Sequence, residues 1–307
     1  MQFKTRKFSN LGVFNYAYEE ALIDQHSAFS YVSNDQGIYI SSGMNFDSEL
    51  GIKTNKKLNY SLKALLVNPW SSFTEKGLSF GKSFQFNQGS IGIMTSFGKN
   101  SSMDPFDSVS SNNQGMIIDF SNKSKNLGLQ IGKLNENGSF NGIASTGMFN
   151  TDKSSITNFA GINFAHETSL GFWVGSFYYG SKPTKKLNGM MNKISKTNSN
   201  AFTLGYQPKF KNSDRKLVFS ISQPLRVTKG YLELQLPAFR TPNKNVLMSS
   251  HTLNMAPESE EIHSKITFAQ NLKVGFINGV IGYRSNPFHS NRFKDYWYAN
   301  LNFTKTF

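Results

Sequence analysis

Cysteine is absent from the 307 residues, which excludes a disulfide framework, a thiolate metal site and a cysteine nucleophile. Long apolar runs are missing as well. None approaches the roughly 18 consecutive residues that a transmembrane helix needs. The amino terminus, MQFKTRKFSN, carries positive charge with no apolar stretch behind it, so no secretory signal is expected inside this chain. Charge is scarce at 17%, against about 25% in an ordinary soluble domain. Acidic residues are scarcest, with 19 Asp and Glu against 33 Lys and Arg for a net charge of +14. A nucleic-acid patch would concentrate that excess on one face. Here the cations are spread thinly, in loop-like pairs such as Lys56-Lys57 and Lys185-Lys186. A solvated lysine-rich surface is the reading they favour, and no nucleic-acid partner is expected.

Constellations for chemistry are also missing. No two of the five histidines (His26, His166, His251, His263 and His289) have ligand spacing with a carboxylate between them. No glycine-rich phosphate loop opens a helix. Glu258, Glu260 and Glu261 sit together in a loop context and read as solvated carboxylates, and His263 reads as a lumen or rim residue. No catalytic residue, metal or cofactor is expected.

What the chain does have is aromatic side chains, 28 Phe, 12 Tyr and 3 Trp, among many Ser, Asn and Gly residues. That mixture suits a membrane barrel, greasy and aromatic outside and wet inside. Alternation is the dominant pattern. In SQPLRVTKGYLELQLP (222–237), Leu232, Leu234 and Leu236 fall on one side and Tyr231, Glu233 and Gln235 on the other. The expectation is that the leucines face lipid while Glu233 and Gln235 face a lumen.

Residues 10–26, NLGVFNYAYEEALIDQH, are the exception, with helix-like apolar spacing at 13, 14, 17, 21 and 22. From residue 28 strand signals run to the end. AFSYVS and GIYIS flank Asn34-Asp35-Gln36 as a hairpin. KLNYSLKALLVN, with Leu58, Tyr60, Leu62, Ala64 and Leu66 in one phase, reads as a further strand. Polar stretches such as KNSSMDPFDSVSSNNQ and SKPTKKLNGMMNKISKTNSN read as loops. Connections of two to four residues alternate with others near twenty, the asymmetry of an outer-membrane barrel. The spacing predicts an all-β chain: one closed antiparallel transmembrane β-barrel of about 12 strands over residues 28–307, preceded by a helical linker segment, 1–27. In the last strand Phe307, Phe303, Leu301, Ala299 and Trp297 share one face, and Thr306, Thr304, Asn302, Asn300 and Tyr298 share the other.

Four stretches resemble one known family. FSISQPLRVTKGYLELQLP is similar to an element of the carboxy-terminal translocator barrel of subtilisin-like autotransporters. There Gln-Pro-Leu-Arg-Val, here Gln223, Pro224, Leu225, Arg226 and Val227, precedes a leucine-rich strand ending in Leu-Pro, here Leu236 and Pro237. NENGSFNGIASTGMFN (135–150), LNMAPESEEIHSKITF (253–268) and GYRSNPFHSN (282–291) resemble further pieces of that domain in the same order, the last through Asn286, Pro287 and His289. The resemblance covers residues 135–307. The chain departs from the pattern at Phe288, where glycine is usual, at Ser259-Glu260, where Gly-Arg is usual, and at Lys305, where an aromatic is commoner.

The resemblance implies a type V secretion translocator in the outer membrane of a Gram-negative bacterium. It would be a monomer that contacts lipid and the barrel-assembly machinery and exports its own amino-terminal passenger. Phe307, Phe303 and Leu301 would form the assembly signal. Residues 10–26 would lie in the lumen, where Glu19 and Glu20 would meet Arg226 and Arg284. The family's protease motifs are absent from this chain, so any peptidase would lie upstream. The alternatives are a passive porin and a soluble or surface β-sandwich that binds a partner.

Overall fold

The computed structural model describes residues 4–6, 28–33, 38–42, 58, 60–74, 76–101, 110–122, 126–140, 143–144, 154–210, 215–272 and 275–305. The fold is all-β. The strands begin with β1 (Lys4–Arg6), β2 (Ala28–Ser33), β3 (Ile38–Ser42), β4 (Lys76–Gln85), β5 (Gly89–Ser101), β6 (Ser110–Asn122) and β7 (Leu127–Asn137). Two short strands, β8 (Ser139–Phe140) and β9 (Ile143–Ala144), pair with each other. Then come β10 (Ser155–Glu167), β11 (Gly171–Lys182), β12 (Lys185–Lys186), β13 (Met191–Ile194), β14 (Thr197–Pro208) and β15 (Arg215–Lys229). The chain finishes with β16 (Tyr231–Arg240), β17 (Val246–Asn254), β18 (Ile262–Leu272), β19 (Gly275–Ser285) and β20 (Tyr296–Lys305).

Fourteen of these make one antiparallel meander, in the order β1-β2-β3-β4-β5-β6-β7-β10-β11-β14-β15-β18-β19-β20. That exceeds the twelve expected, and Lys4–Arg6 joins the sheet from within the segment expected to be a linker. The higher count follows from tight connections. At one edge successive strands follow each other within six residues (β2 to β3, β4 to β5, β6 to β7, β10 to β11, β14 to β15 and β18 to β19), and at the other edge they are separated by eight residues or more. Short turns on one side and long connections on the other are thus segregated, as expected. Because an antiparallel meander reverses at every step, β1 and β20 run in opposite directions.

On several strands the alternation is inverted relative to a soluble sheet. On β4 the large apolar residues Leu78, Phe80 and Phe84 are exposed while Ser79 and Ser83 are buried. On β7 Leu127, Leu129 and Ile131 are exposed and Gln130 and Glu136 are buried. On β10 Ile162 and Phe164 point out while Thr157 and Asn163 point in. Successive side chains of a strand must take opposite faces, so these strands turn large apolar residues outward and many polar ones inward. The inward polar residues lie beside an apolar patch that includes Met94, Ile117, Leu134 and Tyr178.

Two departures from the expected strands have clear causes. Residues 60–68 are not a strand: Tyr60–Ala64 is a short helix, α1. Leu58, Leu62, Leu65 and Leu66 have i, i+4, i+7, i+8 spacing, which gives one helical stripe, and all four are buried. Second, Leu232 and Leu234 do not face lipid. Strand β16 belongs to a separate four-stranded sheet, β12-β13-β16-β17, built from the two hairpins inserted at the long-connection edge. There Leu232 and Leu234 pack on Phe140, Leu187, Met191 and Ile194. Glu233 pairs with Lys193 at 3.3 Å instead of facing a lumen.

Candidate functional site

Residues 60–74, from the connection between β3 and β4, pack on part of the inward face. After α1 the chain tightens, with Leu65 N–H donating to Leu62 O and Leu66 N–H to Lys63 O. Asn68 then caps a 3-10 turn, Pro69–Thr74, by accepting the Trp70 N–H on Oδ1 at 2.9 Å. Proline at the first position costs no hydrogen bond there, and asparagine is a favoured cap. The result is a compact inward-folded segment, 58–74.

Its docking spans much of the sheet. The Trp70 ring stacks on Phe159 of β10 at 5.0 Å and 6°. It lies where a Cβ on Gly180 of β11 would stand 2.3 Å from the indole, and Leu65 lies equally close to Gly205 of β14. Only glycine leaves room for the segment at these two positions. Polar anchors reinforce the contact. Ser176 Oγ donates to Leu65 O at 3.1 Å, Asn113 Nδ2 to Phe73 O at 2.7 Å, and Ser96 Oγ to Thr74 Oγ1 at 2.9 Å. The Tyr178 hydroxyl sits 3.0 Å from both Leu66 O and Gln130 Oε1, and Gln130 Nε2 donates to Asp119 Oδ2 at 2.8 Å.

Above this lies a buried ion pair, Glu136 with Lys182, whose ammonium stands 4.1 Å from the Phe140 ring centroid. Sequence reasoning missed the pair. Its members are 46 residues apart and only the β7-β10-β11 order brings them together.

At the long-connection edge a second polar cluster ties two connections, 230–261 and 286–295, to the end of β15. Glu261 is fully buried and receives hydrogen bonds from the side chains of Arg284 and His263, and from the Phe288 N–H at 2.7 Å. The Glu261 N–H donates to His289 Nδ1 at 2.9 Å, and His289 Nε2 faces Leu225 O at 3.3 Å. Only the neutral tautomer protonated on Nε2 serves both contacts. Burial pushes the Glu261 carboxyl up, but the hydrogen bonds from His263 and Arg284 outweigh it and hold the pKa below its ordinary value. Burial also holds the His289 imidazole below its usual pKa, favouring the neutral form that the geometry needs. Beside them Arg226 pairs with Glu260 at 2.6 Å and donates to Pro257 O at 3.1 Å, and Asn286 Nδ2 donates to Glu260 O at 3.1 Å.

Three of the four resembling stretches therefore meet in space, through Leu225 and Arg226, Glu260 and Glu261, and Asn286, Pro287 and His289. Glu261 is not a solvated carboxylate but is buried and held by Arg284, whereas Glu260 is exposed and pairs with Arg226. Gln223 bonds Asn200 Oδ1 at 2.9 Å, and Pro224 stands where the β14-β15 register slips, a place that needs no ladder N–H. Val227 pairs with Ser199 in the same ladder. Leu236 and Pro237 lie apart on β16, Pro237 at a bulge against β17. Leu301 and Phe303 are exposed on β20. Glu19, Glu20, the rest of 10–26 and Phe307 lie outside the described residues.

Comparison with protein families, with curated proteins and with solved structures finds no match for this chain.

Proposed function

We propose that the chain is an outer-membrane β-barrel that closes by pairing β20 with β1 and serves as the anchoring translocator of an amino-terminal passenger. The observation that carries the membrane half of this reading is the inverted alternation. A soluble fourteen-stranded sheet with Phe80, Ile131, Ile162 and Phe177 in water would aggregate, whereas hydrocarbon accepts them and water or a plug accepts the serine-rich opposite face. Closure is supported by the even strand number and the opposed directions of β1 and β20, since lipid tolerates no open sheet edge. Aromatic belts fit as well. Trp173 packs on Tyr206 at the short-turn edge and Trp297 on Tyr283 at the opposite edge.

The export half rests on the resemblance of residues 135–307. The convergence of three of its stretches on one buried cluster gives it a physical rationale: the same residues fix the shape of the rim. The inward-folded segment 58–74 favours an anchoring barrel over an open porin, because it occupies the face that a porin leaves to solute. Fusing a folded reporter ahead of Met1, with an export signal, tests this half in a Gram-negative host. Expected is a reporter that protease removes from intact cells. A reporter held in the periplasm while the barrel inserts normally would refute export and leave the membrane reading standing.

A further inference from the structure

Strand β17, Val246–Asn254, is the outermost strand of the four-stranded sheet, and among the described residues its second edge pairs with nothing. Sheet edges are ordinarily blunted by charge, proline, a bulge or a covering loop. Here the sequence is VLMSSHTLN, without Lys, Arg, Asp, Glu, Pro or Gly, and its bulge with β16 is confined to the end at Met248 and Leu247. Leu247 and Leu253 remain 44% and 50% exposed. The orientation of the backbone is set by its neighbour. Met255 N–H donates to Gly230 O, and Gln235 N–H turns the other way, to Met190 O. By the alternation of an antiparallel ladder, Ser250, Thr252 and Asn254 direct their N–H and C=O groups at the open edge.

We infer that this edge is a homotypic interface: β17 of one copy pairs antiparallel with β17 of a second, about a two-fold axis at Ser250. The self-register is what identifies the occupant. Reversing the strand about Ser250 sets Val246 against Asn254, Met248 against Thr252 and Ser250 against itself, all with edge-directed backbone groups. It also sets Leu247 against Leu253 twice, at the closely spaced non-hydrogen-bonded positions where cross-strand side chains meet best. No like charge opposes another, because the strand carries none. An isologous contact of this kind closes on itself and does not propagate into fibres. It joins two four-stranded sheets into one of eight. The interface is independent of the export reading and would make the chain a dimer where the resemblance implies a monomer.

The absence of native cysteine makes the test direct. Single cysteines are placed at Ser250, or as separate Leu247→Cys and Leu253→Cys chains that are mixed, in full-length protein refolded in detergent and exposed to a mild copper(II) oxidant. Asn291→Cys, in a loop outside the interface, is the control for collision. Expected is disulfide-linked dimer for Ser250→Cys, and mixed dimer from Leu247→Cys with Leu253→Cys, each several-fold above the control. Ser250→Lys, which sets two ammonium groups opposite each other on an exposed position, is expected to give monomer by sedimentation with unchanged heat-modifiable migration. Cross-linking no higher than the control, or a dimer that survives Ser250→Lys, would overturn the assignment.

Discussion

Replacing Trp70 with alanine removes the ring that holds segment 58–74 against the sheet while leaving the strand ladders intact. The indole is 1% exposed, stacks on Phe159 and covers Gly180. Truncating a buried Trp or Phe to alanine costs about 3–5 kcal/mol, the spread depending on how far the surroundings collapse. Gly180 has no side chain to fill the space, so a loss of about 4 kcal/mol is expected. The four hydrogen bonds from Ser96, Asn113, Ser176 and Tyr178 remain, at about 0.5–1.5 kcal/mol each, together comparable to the loss. Docking then becomes marginal, since about 4 kcal/mol multiplies the undocked population nearly a thousandfold. Ser72→Cys, at a half-buried position on the 3-10 turn, reports the opening through its rate of thiol labelling in an otherwise cysteine-free chain. Planar-bilayer current reports it independently. Expected are faster labelling and larger current with the sheet still folded. Unchanged labelling and current, alongside a cooperative loss of global stability, would refute the idea that 58–74 is a separable plug.

Three further outcomes are expected. Ile162→Lys should cost about 2–4 kcal/mol when the protein is unfolded from lipid bilayers, as a charge on the lipid face does; a near-neutral result would fit a solvent-exposed face. The rim cluster should loosen in acid. His289 has a lowered folded pKa, so its contribution is complete above the unfolded value of about 6.5 and is lost as pH falls toward the folded one. The lowered Glu261 value extends the loss below about pH 4. Thermal midpoints of wild type should therefore fall more steeply than those of His289→Gln between pH 7 and 5, and parallel curves would contradict this. Finally, Lys182→Met should destabilise strongly by leaving the Glu136 carboxylate buried without its ammonium partner, about 3–5 kcal/mol, whereas Lys182→Met with Glu136→Leu should recover most of the loss. A double variant no better than the single one would show that packing outweighs charge there.

The outer face was legible because a period of two needs no knowledge of topology. Phe80 and Phe84, and Leu301 and Phe303, declare their face from spacing alone. What the period cannot say is which apolar surface the leucines meet. Leu232 and Leu234 alternate just as lipid-facing residues do, yet their partners are Phe140 and Ile194, on elements that only the folded chain brings near. The inward-folded segment was misread for a related reason. Leu58, Leu62 and Leu66 satisfy both a strand phase and an i+4 helical spacing. Leu65 favours the helix, and Asn68-Pro69 favours the 3-10 turn that follows it. The rim cluster is a matter of topology: Arg226 finds Glu260 across the inserted β16-β17 hairpin, a distance of 34 residues in sequence.

The central claim, that the greasy face of the sheet lies in hydrocarbon, is tested most directly by its three tryptophans. Trp173 and Trp297 point outward near opposite edges, 40% and 72% exposed, while Trp70 lies under the sheet. Single-tryptophan chains, made by replacing the other two with phenylalanine, are refolded into vesicles whose lipids carry bromine high on the acyl chains, a contact quencher of indole. Strong quenching is expected for Trp173 and for Trp297, and little for Trp70. Equal quenching of all three, or none at either outward position, would contradict a membrane-embedded barrel.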